Sequence, residues 1–153
     1  MQNQDMLKGL FAGLVGGIIA TAAKTIWEDN FPVRDKETDS PPVKLAEKVM
    51  SHELTRQQKQ TAEQSIHLTF GIGTGIFYGA LAEEVPMATT ALGIPFGLAF
   101  YAGTHGSIVP ALELEPFPHQ VKPEQYAINE FAGHLVYGAA LEITRRGVRY
   151  LLD

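Results

Sequence analysis

The stretch Glu130–Glu142, EFAGHLVYGAALE, decides how this chain of 153 residues is understood. Its ionisable and small residues recur at every fourth position, as Glu130, His134, Gly138 and Glu142, and Arg146 continues the row. Only Phe, Ala, Gly, Leu, Val and Tyr stand between them up to Glu142. Residues four apart are neighbours on one face of a helix. An earlier stretch repeats the design with His67, Gly71, Gly75, Gly79 and Glu83. Small residues at this spacing let helix backbones approach closely, a principal route to helix association in lipid. Ionisable side chains in the same rows are costly in hydrocarbon and must face protein or water. The pattern therefore predicts a membrane helix bundle with a polar interior. A four-residue step advances 400°, so each row drifts about 40° per step on a helix of 3.6 residues per turn. Such a row wraps around its helix, as suits a right-handed crossing.

Working outward, four apolar segments are expected to cross a membrane, at about residues 7–27, 64–83, 87–109 and 125–150, within one domain spanning residues 1–153. The fold class expected is all-α: an integral membrane bundle of four transmembrane helices with an amphipathic helix in the first loop. Mean hydropathy is only −0.01, but the average misleads because charge is segregated. Residues 28–63 carry six Lys/Arg and eight Asp/Glu, whereas residues 9–23 carry none. A net charge of −5 argues against nucleic acid as a partner. The absence of cysteine removes disulfide and thiolate chemistry.

In the first segment Gly9, Gly13 and Gly17 form a doubled small-xxx-small motif. Trp27 and Phe31 suit an interfacial aromatic belt at its far end, and Lys24 lies one turn inside. Lys8 stands alone beside Asp5, a poor basic region for a signal peptide, so residues 9–23 are read as a retained helix rather than a leader cleaved at Ala20-Thr21-Ala22. Ser40-Pro41-Pro42 is a helix start, with a capping hydroxyl followed by proline where no donor is needed. From there an amphipathic helix is expected over about 41–60, lying on the membrane or capping the bundle; a solvated helical linker is the alternative. The short turn Glu83-Glu84-Val85-Pro86 predicts that the second and third spans are antiparallel neighbours, with Pro95 as a kink in the third. Pro110, Pro116, Pro118 and Pro123 mark a loop. The fourth span is the least apolar, and it inserts only against the other helices. Four spans put both termini on one side. Arg145, Arg146 and Arg149 directly at a helix end favour cytoplasmic termini, although the first loop is also rich in Lys and Arg.

Together these residues resemble the YagU-like family of bacterial inner membrane proteins. The likeness runs through Gly13, Gly17 and Lys24; through His67, Glu83 and Pro86; through His105 and Pro110; and most closely through Glu130-x-x-Gly133-His134-Leu135-Val136 followed by Glu142-Ile143-x-Arg145-Arg146. The first loop departs from the family. The resemblance implies a multi-pass protein of the bacterial inner (plasma) membrane, an association with tolerance of acid, and no catalytic residues.

Glu130 and His134 head the candidate site. A carboxylate one turn from an imidazole can hold its tautomer, and histidine titrates between pH 5 and 8 unless perturbed. The functional reading is a proton relay or acid sensor that also draws in His105, His67 and Lys24. The plainer one is an interhelical hydrogen bond that fixes register. Three imidazoles and a carboxylate would also suit a metal, or a pair of imidazoles a haem, but no two of these histidines share a helix, so no metal ligand set or cofactor is assigned. Lys24 either snorkels to the interface or pairs with Glu83 or Glu130, and the nearby Trp27 favours snorkelling. Glu142 with Arg145 and Arg146 has the spacing of helix ion pairs near a C-terminus and can also meet anionic lipid. Gly9, Gly13, Gly17, Gly71, Gly75, Gly79 and Gly138 are packing positions. Motifs of the GxSxG, HExxH, GxxxxGK[ST] and CxxC types are absent, and Gly71-Ile72-Gly73-Thr74-Gly75 lies in an apolar span with no strand before it, so no enzyme is expected. Three readings follow: a proton-sensing or proton-conducting membrane protein, an accessory subunit of a larger membrane complex, and a metal- or haem-binding protein. Expected partners are the bilayer and either copies of itself or another membrane protein. A soluble helical bundle is the remaining alternative.

Overall fold

In the computed structural model, which describes residues 2–153, the chain forms α1 (Gln2–Asn30), α2 (Pro41–Met50), α3 (Arg56–Glu84), α4 (Ile94–Gly103) and α5 (Glu124–Leu152), with no strand among the described residues. α1, α3 and α5 are each 29 residues long, about 44 Å at 1.5 Å per residue. α1 is the central rod and packs along both α3 and α5, while α4 packs on α5. α1 runs antiparallel to its two neighbours. Gly9 faces Gly79 and Gly17 faces Gly71, Gly16 meets Leu141, and Lys8 meets Asp153. Both termini therefore lie at one end, the terminal end. The segments after α1 and before α5 lie at the other, the loop end.

The buried stripe of α1 is Gly9, Ala12, Gly13, Gly16, Gly17, Ala20, Thr21 and Lys24. Its i, i+3, i+4 spacing gives one continuous face, and every member but Thr21 and Lys24 is Gly or Ala. That smallness brings backbones together. A Cβ on Gly17 would lie 2.7 Å from the Gly71 carbonyl oxygen, and one on Gly16 would lie 2.8 Å from Leu141 Cδ1. The glycine rows of α1 and α3 thus face each other within one chain, which leaves them no surface to offer a second copy. Ala20, Tyr78, Tyr137 and Leu141 form the apolar centre.

Three expectations are corrected. The third segment, 87–109, is not one helix. Pro86–Gly93 is an irregular 3-10 stretch in which Ala91, Leu92 and Gly93 all have positive φ, and Gly93 then caps α4. α4 passes through a π-turn at Thr104–Ile108 and ends at Ala111. Pro95 lies in the first turn of α4, where its missing N–H costs nothing, rather than at a kink. Second, α3 and α4 do not pack backbone to backbone as neighbouring spans; they meet mainly through side chains, Tyr78 against Phe96 with ring centroids 4.5 Å apart and Phe70 against Phe100 at 5.8 Å. The positive-φ turn throws α4 onto α5, where Cβ atoms on Gly93 and Gly97 would lie 2.5 Å from the carbonyl oxygens of Gly138 and His134. Third, the loop helix stops at Met50 instead of running to residue 60. Ser51 turns left-handed, and Thr55 with Gln58 forms a capping box that starts α3. Ser40 precedes α2 as expected, but its hydroxyl makes no capping bond.

α1, from Asn3, and α3 are each long and apolar enough to cross a membrane. Large apolar side chains stand exposed on the outer faces of the bundle, among them Phe11, Ile19, Ile26, Phe70, Phe77, Ile128 and Ile143.

Candidate functional site

α5 buries Asn129, Glu130, Gly133, His134, Tyr137, Gly138, Leu141, Glu142 and Arg145 on one stripe. It carries polar chemistry at both ends and an apolar layer between them. Glu130 and Glu142 are 12 residues apart, so about 18 Å of helix separates two ionic clusters.

The loop-end cluster centres on Glu130, which is 4% exposed. Its Oε1 accepts a hydrogen bond from Lys24 Nζ at 2.8 Å and lies 3.4 Å from His105 Nε2 and 3.3 Å from His134 Nδ1. Lys24, 5% exposed, also pairs with Glu28 one turn along α1. Lys24 therefore points inward and does not snorkel. The reason is local: it ends the buried glycine stripe of α1, while Trp27 packs against Gly133 and donates from Nε1 to the Asn129 carbonyl at 2.9 Å, which closes the route to the interface. Arg34, from the loop after α1, places Nη2 3.8 Å from Glu130 Oε2.

The two histidines are held differently. His134 Nδ1 lies 2.9 Å from the Glu130 carbonyl, which can only accept, so Nδ1 carries a hydrogen; Nε2 lies 3.5 Å from Thr104 Oγ1, whose own hydrogen goes to the Phe100 carbonyl at 2.8 Å. His105 sits on the π-turn, the kind of irregularity that re-aims a side chain. Its Nδ1 lies 2.7 Å from Glu115 Oε2, and its Nε2 faces Glu130. A neutral ring can donate to one of these carboxylates only, whereas an imidazolium donates to both. The His105 and His134 rings meet edge-on with centroids 5.1 Å apart.

A cavity of about 240 Å³ opens beside the cluster, with Lys24, Arg34, Ser40, His67, Glu130 and His134 on its wall and α2 roofing it through Pro41, Pro42 and Leu45. His67 reaches this cavity from α3 but makes no hydrogen bond or ion pair with Lys24, Glu130 or His105. Among the described residues, three buried side-chain polar atoms lack a hydrogen-bond partner: Arg34 Nε, Ser40 Oγ and Glu130 Oε2. All three side chains line this one cavity.

Ligand atoms of His105, Glu130 and His134 lie within 4.8 Å of one another, the spacing of a small metal site. The donor set does not suit a cation. The Lys24 ammonium already holds Glu130 Oε1, and bringing a divalent ion to the same oxygen sets two positive charges side by side.

At the terminal end Glu142 is fully buried and accepts from Arg145 Nε at 2.7 Å, from Arg146 Nε at 2.5 Å and from the Tyr78 hydroxyl at 2.8 Å. Arg149 grips Glu83 at 2.9 Å. Glu83 thus pairs with α5 and not with Lys24. Every oxygen of Glu142 is spent on neighbours in the chain, so this cluster is a clamp joining α5 to α3. Of the packing glycines, Gly138 faces Gly93 and Gly97, and Gly71 faces Thr21.

The residues that sequence reasoning did not single out come from the loops: Arg34, Ser40 and Glu115, with Glu28 one turn from Lys24. Glu28 carried a signal in its i, i+4 spacing. The loop residues carried none, because tertiary folding alone brings them over the helix ends.

No curated protein and no solved structure matches the chain. The family described as "Protein of unknown function (DUF1440)" matches residues 18–143, a span that takes in Lys24, His67, His105, Glu130, His134 and Glu142. Most of the chain being covered, this protein belongs to the DUF1440 family.

Proposed function

We propose that this is a four-span bacterial inner-membrane protein whose loop-end cluster takes up a proton and so contributes to tolerance of acid. The observation that carries the reading is His105 held between two carboxylates, Glu115 and Glu130. Charge counting supports it. Glu28, Glu115 and Glu130, with Glu63 on the cavity wall, outnumber the fixed cations Lys24 and Arg34, and His105, which faces two of these carboxylates, is the group left to supply positive charge. Proton uptake at His105 adds an Nε2–H bond to Glu130 and tightens the joint between the π-turn, α1 and α5. Lowering the pH therefore consolidates this end of the bundle.

The membrane reading rests on two helices apolar enough to cross and on the exposed apolar belt continuing over α4 and α5 at Leu98, Ile108, Ile128 and Ile143. With the termini cytoplasmic, the cluster lies toward the outer side, where external acid arrives first. Sensing is favoured over conduction because Ala20, Tyr137 and Leu141 separate the two clusters with no titrating carboxylate or imidazole among them. We assign no enzymatic step.

The chain has a single tryptophan, and Trp27 packs against Gly133 beside the Lys24 side chain. Its fluorescence in lipid vesicles is expected to change in one step between pH 8 and 5, and the step is expected to vanish in His105→Gln and Glu115→Gln. A response that persists in both variants would overturn the assignment. Vesicles carrying the protein are expected to leak protons no faster than empty ones. Rapid flux abolished by Glu130→Gln would replace sensing by conduction.

A further inference from the structure

An apolar groove of about 830 Å³ separates α3 from α4, lined by Thr69, Gly73, Phe77, Phe96, Ala99 and Gly103. That volume lies in the range of small-molecule sites, roughly 300–1,000 Å³. The groove has a cause in the packing: glycine rows hold α3 against α1, while Gly93 and Gly97 hold α4 against α5, so that ring contacts, Tyr78 with Phe96 and Phe70 with Phe100, bridge α3 and α4 in place of close backbone packing. At its loop end the groove meets the polar cavity, since Phe70, Phe100, Thr104 and Ile108 wall both spaces. The unpartnered Arg34 Nε, Ser40 Oγ and Glu130 Oε2 stand on the cavity wall beyond, and Ser40 and Glu130 are 5% and 4% exposed. An N–H and a hydroxyl there offer hydrogens, and a carboxylate oxygen accepts one.

We propose that groove and cavity together hold one single-chain lipid, with its acyl tail between α3 and α4 and a neutral head, bearing both an O–H donor and an oxygen acceptor, among Arg34, Ser40 and Glu130. A monoacylglycerol and a protonated fatty acid share this chemistry. An anionic head is disfavoured, because carboxylates already outnumber fixed cations around the cavity. A partner helix, about 10 Å across, would cover the groove but could not reach the three unpartnered atoms behind the shared wall. Water would fill the cavity and leave the apolar groove without an occupant. The inference takes the membrane as the source of ligand and is independent of proton uptake at His105.

The test is equilibrium binding to the full-length protein, delipidated in detergent, with monopalmitoylglycerol, palmitic acid and methyl palmitate as probes. One equivalent of monopalmitoylglycerol is expected, bound at least tenfold more tightly than methyl palmitate, which has no O–H. Palmitic acid is expected to bind at pH 5 and to lose at least tenfold by pH 9. A Cβ on Gly73 meets nothing within 4 Å, and the same holds for Gly103. Gly73→Phe and Gly103→Phe therefore fill the groove without disturbing the packing. Each is expected to weaken monopalmitoylglycerol at least tenfold with helicity unchanged, and Ser40→Ala to weaken it several-fold. Undiminished binding in both groove variants, equal binding of the methyl ester, or tighter binding of palmitate at pH 9 would overturn the proposal. Gly73→Phe dissociating a dimer while lipid binding stays intact would overturn it too, and would make the groove a helix interface. The Trp27 pH response is expected to survive Gly73→Phe, so failure here and failure of the proton reading are separable.

Discussion

Replacing Lys24 by methionine tests the loop-end cluster at its most vulnerable point. Methionine keeps most of the packing against Trp27 and Gly133 but removes the ammonium that bonds Glu130 at 2.8 Å. Breaking a buried ion pair from one side costs about 3–5 kcal/mol, because the remaining charge is stranded. Glu130 keeps Arg34 at 3.8 Å and the two imidazoles at 3.3 and 3.4 Å, so the lower figure applies. A loss of about 3 kcal/mol is roughly a 150-fold change in the folding constant. Adding Glu130→Gln to Lys24→Met removes the stranded charge, and the double variant is expected within about 1 kcal/mol of wild type, since replacing both partners of a buried pair is often neutral. Unfolding by dodecyl sulfate in mixed micelles, followed by far-UV circular dichroism, measures wild type, Lys24→Met, Glu130→Gln and the double variant on one scale. A Lys24→Met cost below about 0.5 kcal/mol, the scale of an exposed ion pair, or strict additivity in the double variant would refute the reasoning and return Lys24 to the interface.

The remaining predictions draw on other parts of the bundle. Gly13→Leu drives a side chain into the backbone of Gly75 and Gly79 and is expected to cost about 3 kcal/mol or more in the same assay, at or above the usual range for overpacking; Gly147→Ala, where a Cβ meets nothing within 4 Å, should instead stabilise by about 0.5–1 kcal/mol. In the first turn of α3, ahead of the apolar segment 64–83, Lys59 donates to Asp39 at 2.6 Å and lies 3.3 Å from Glu47 of α2. The Asp39 hydrogen bond, chiefly, raises its pKa above the ordinary lysine value. A raised cationic pKa means that this contribution is complete below the unfolded value and is lost as pH climbs through the folded one. Amide protection over residues 39–55, taken as exchange relative to the intrinsic rate, should therefore fall only above about pH 10.4, and Lys59→Met should show the lowered protection at neutral pH. Because Lys24 holds the oxygen a metal would need, purified protein should carry less than one-tenth equivalent of zinc or iron, and chelator should leave the unfolding midpoint unchanged; one tightly held equivalent lost in Glu130→Gln would contradict this.

The parts of this fold that follow from helical periodicity are visible in the sequence. Gly9, Gly13 and Gly17, and the row from Glu130 to Glu142, fall on one face because four residues exceed one turn by only 40°, and those faces are buried. The third segment was misread because hydropathy runs unbroken through Thr90-Ala91-Leu92-Gly93, although Gly93 followed by Pro95 is also the signature of one element ending and another beginning. That single turn decides that α4 lies on α5, and so that a groove opens beside α3. At the site, Glu130 and His134 were legible as an i, i+4 pair. The loop residues of the site, Arg34, Ser40 and Glu115, were not, because each reaches the helix ends from a loop whose path depends on long-range packing. Lys24 was assigned to the interface on the strength of Trp27, whose indole is itself turned inward to the Asn129 carbonyl.

The central claim is that His105, enclosed by Glu115 and Glu130 within a lipid-embedded bundle, takes up a proton as the surroundings acidify. Nitrogen-15 NMR of the imidazoles in lipid bilayers reads this directly, with His105→Gln to identify the signal. The account predicts that both ring nitrogens of His105 carry hydrogen at the acid end of a pH series and only one at the alkaline end, while His134 keeps its hydrogen on Nδ1 throughout. A His105 ring that stays neutral across the whole series would contradict it.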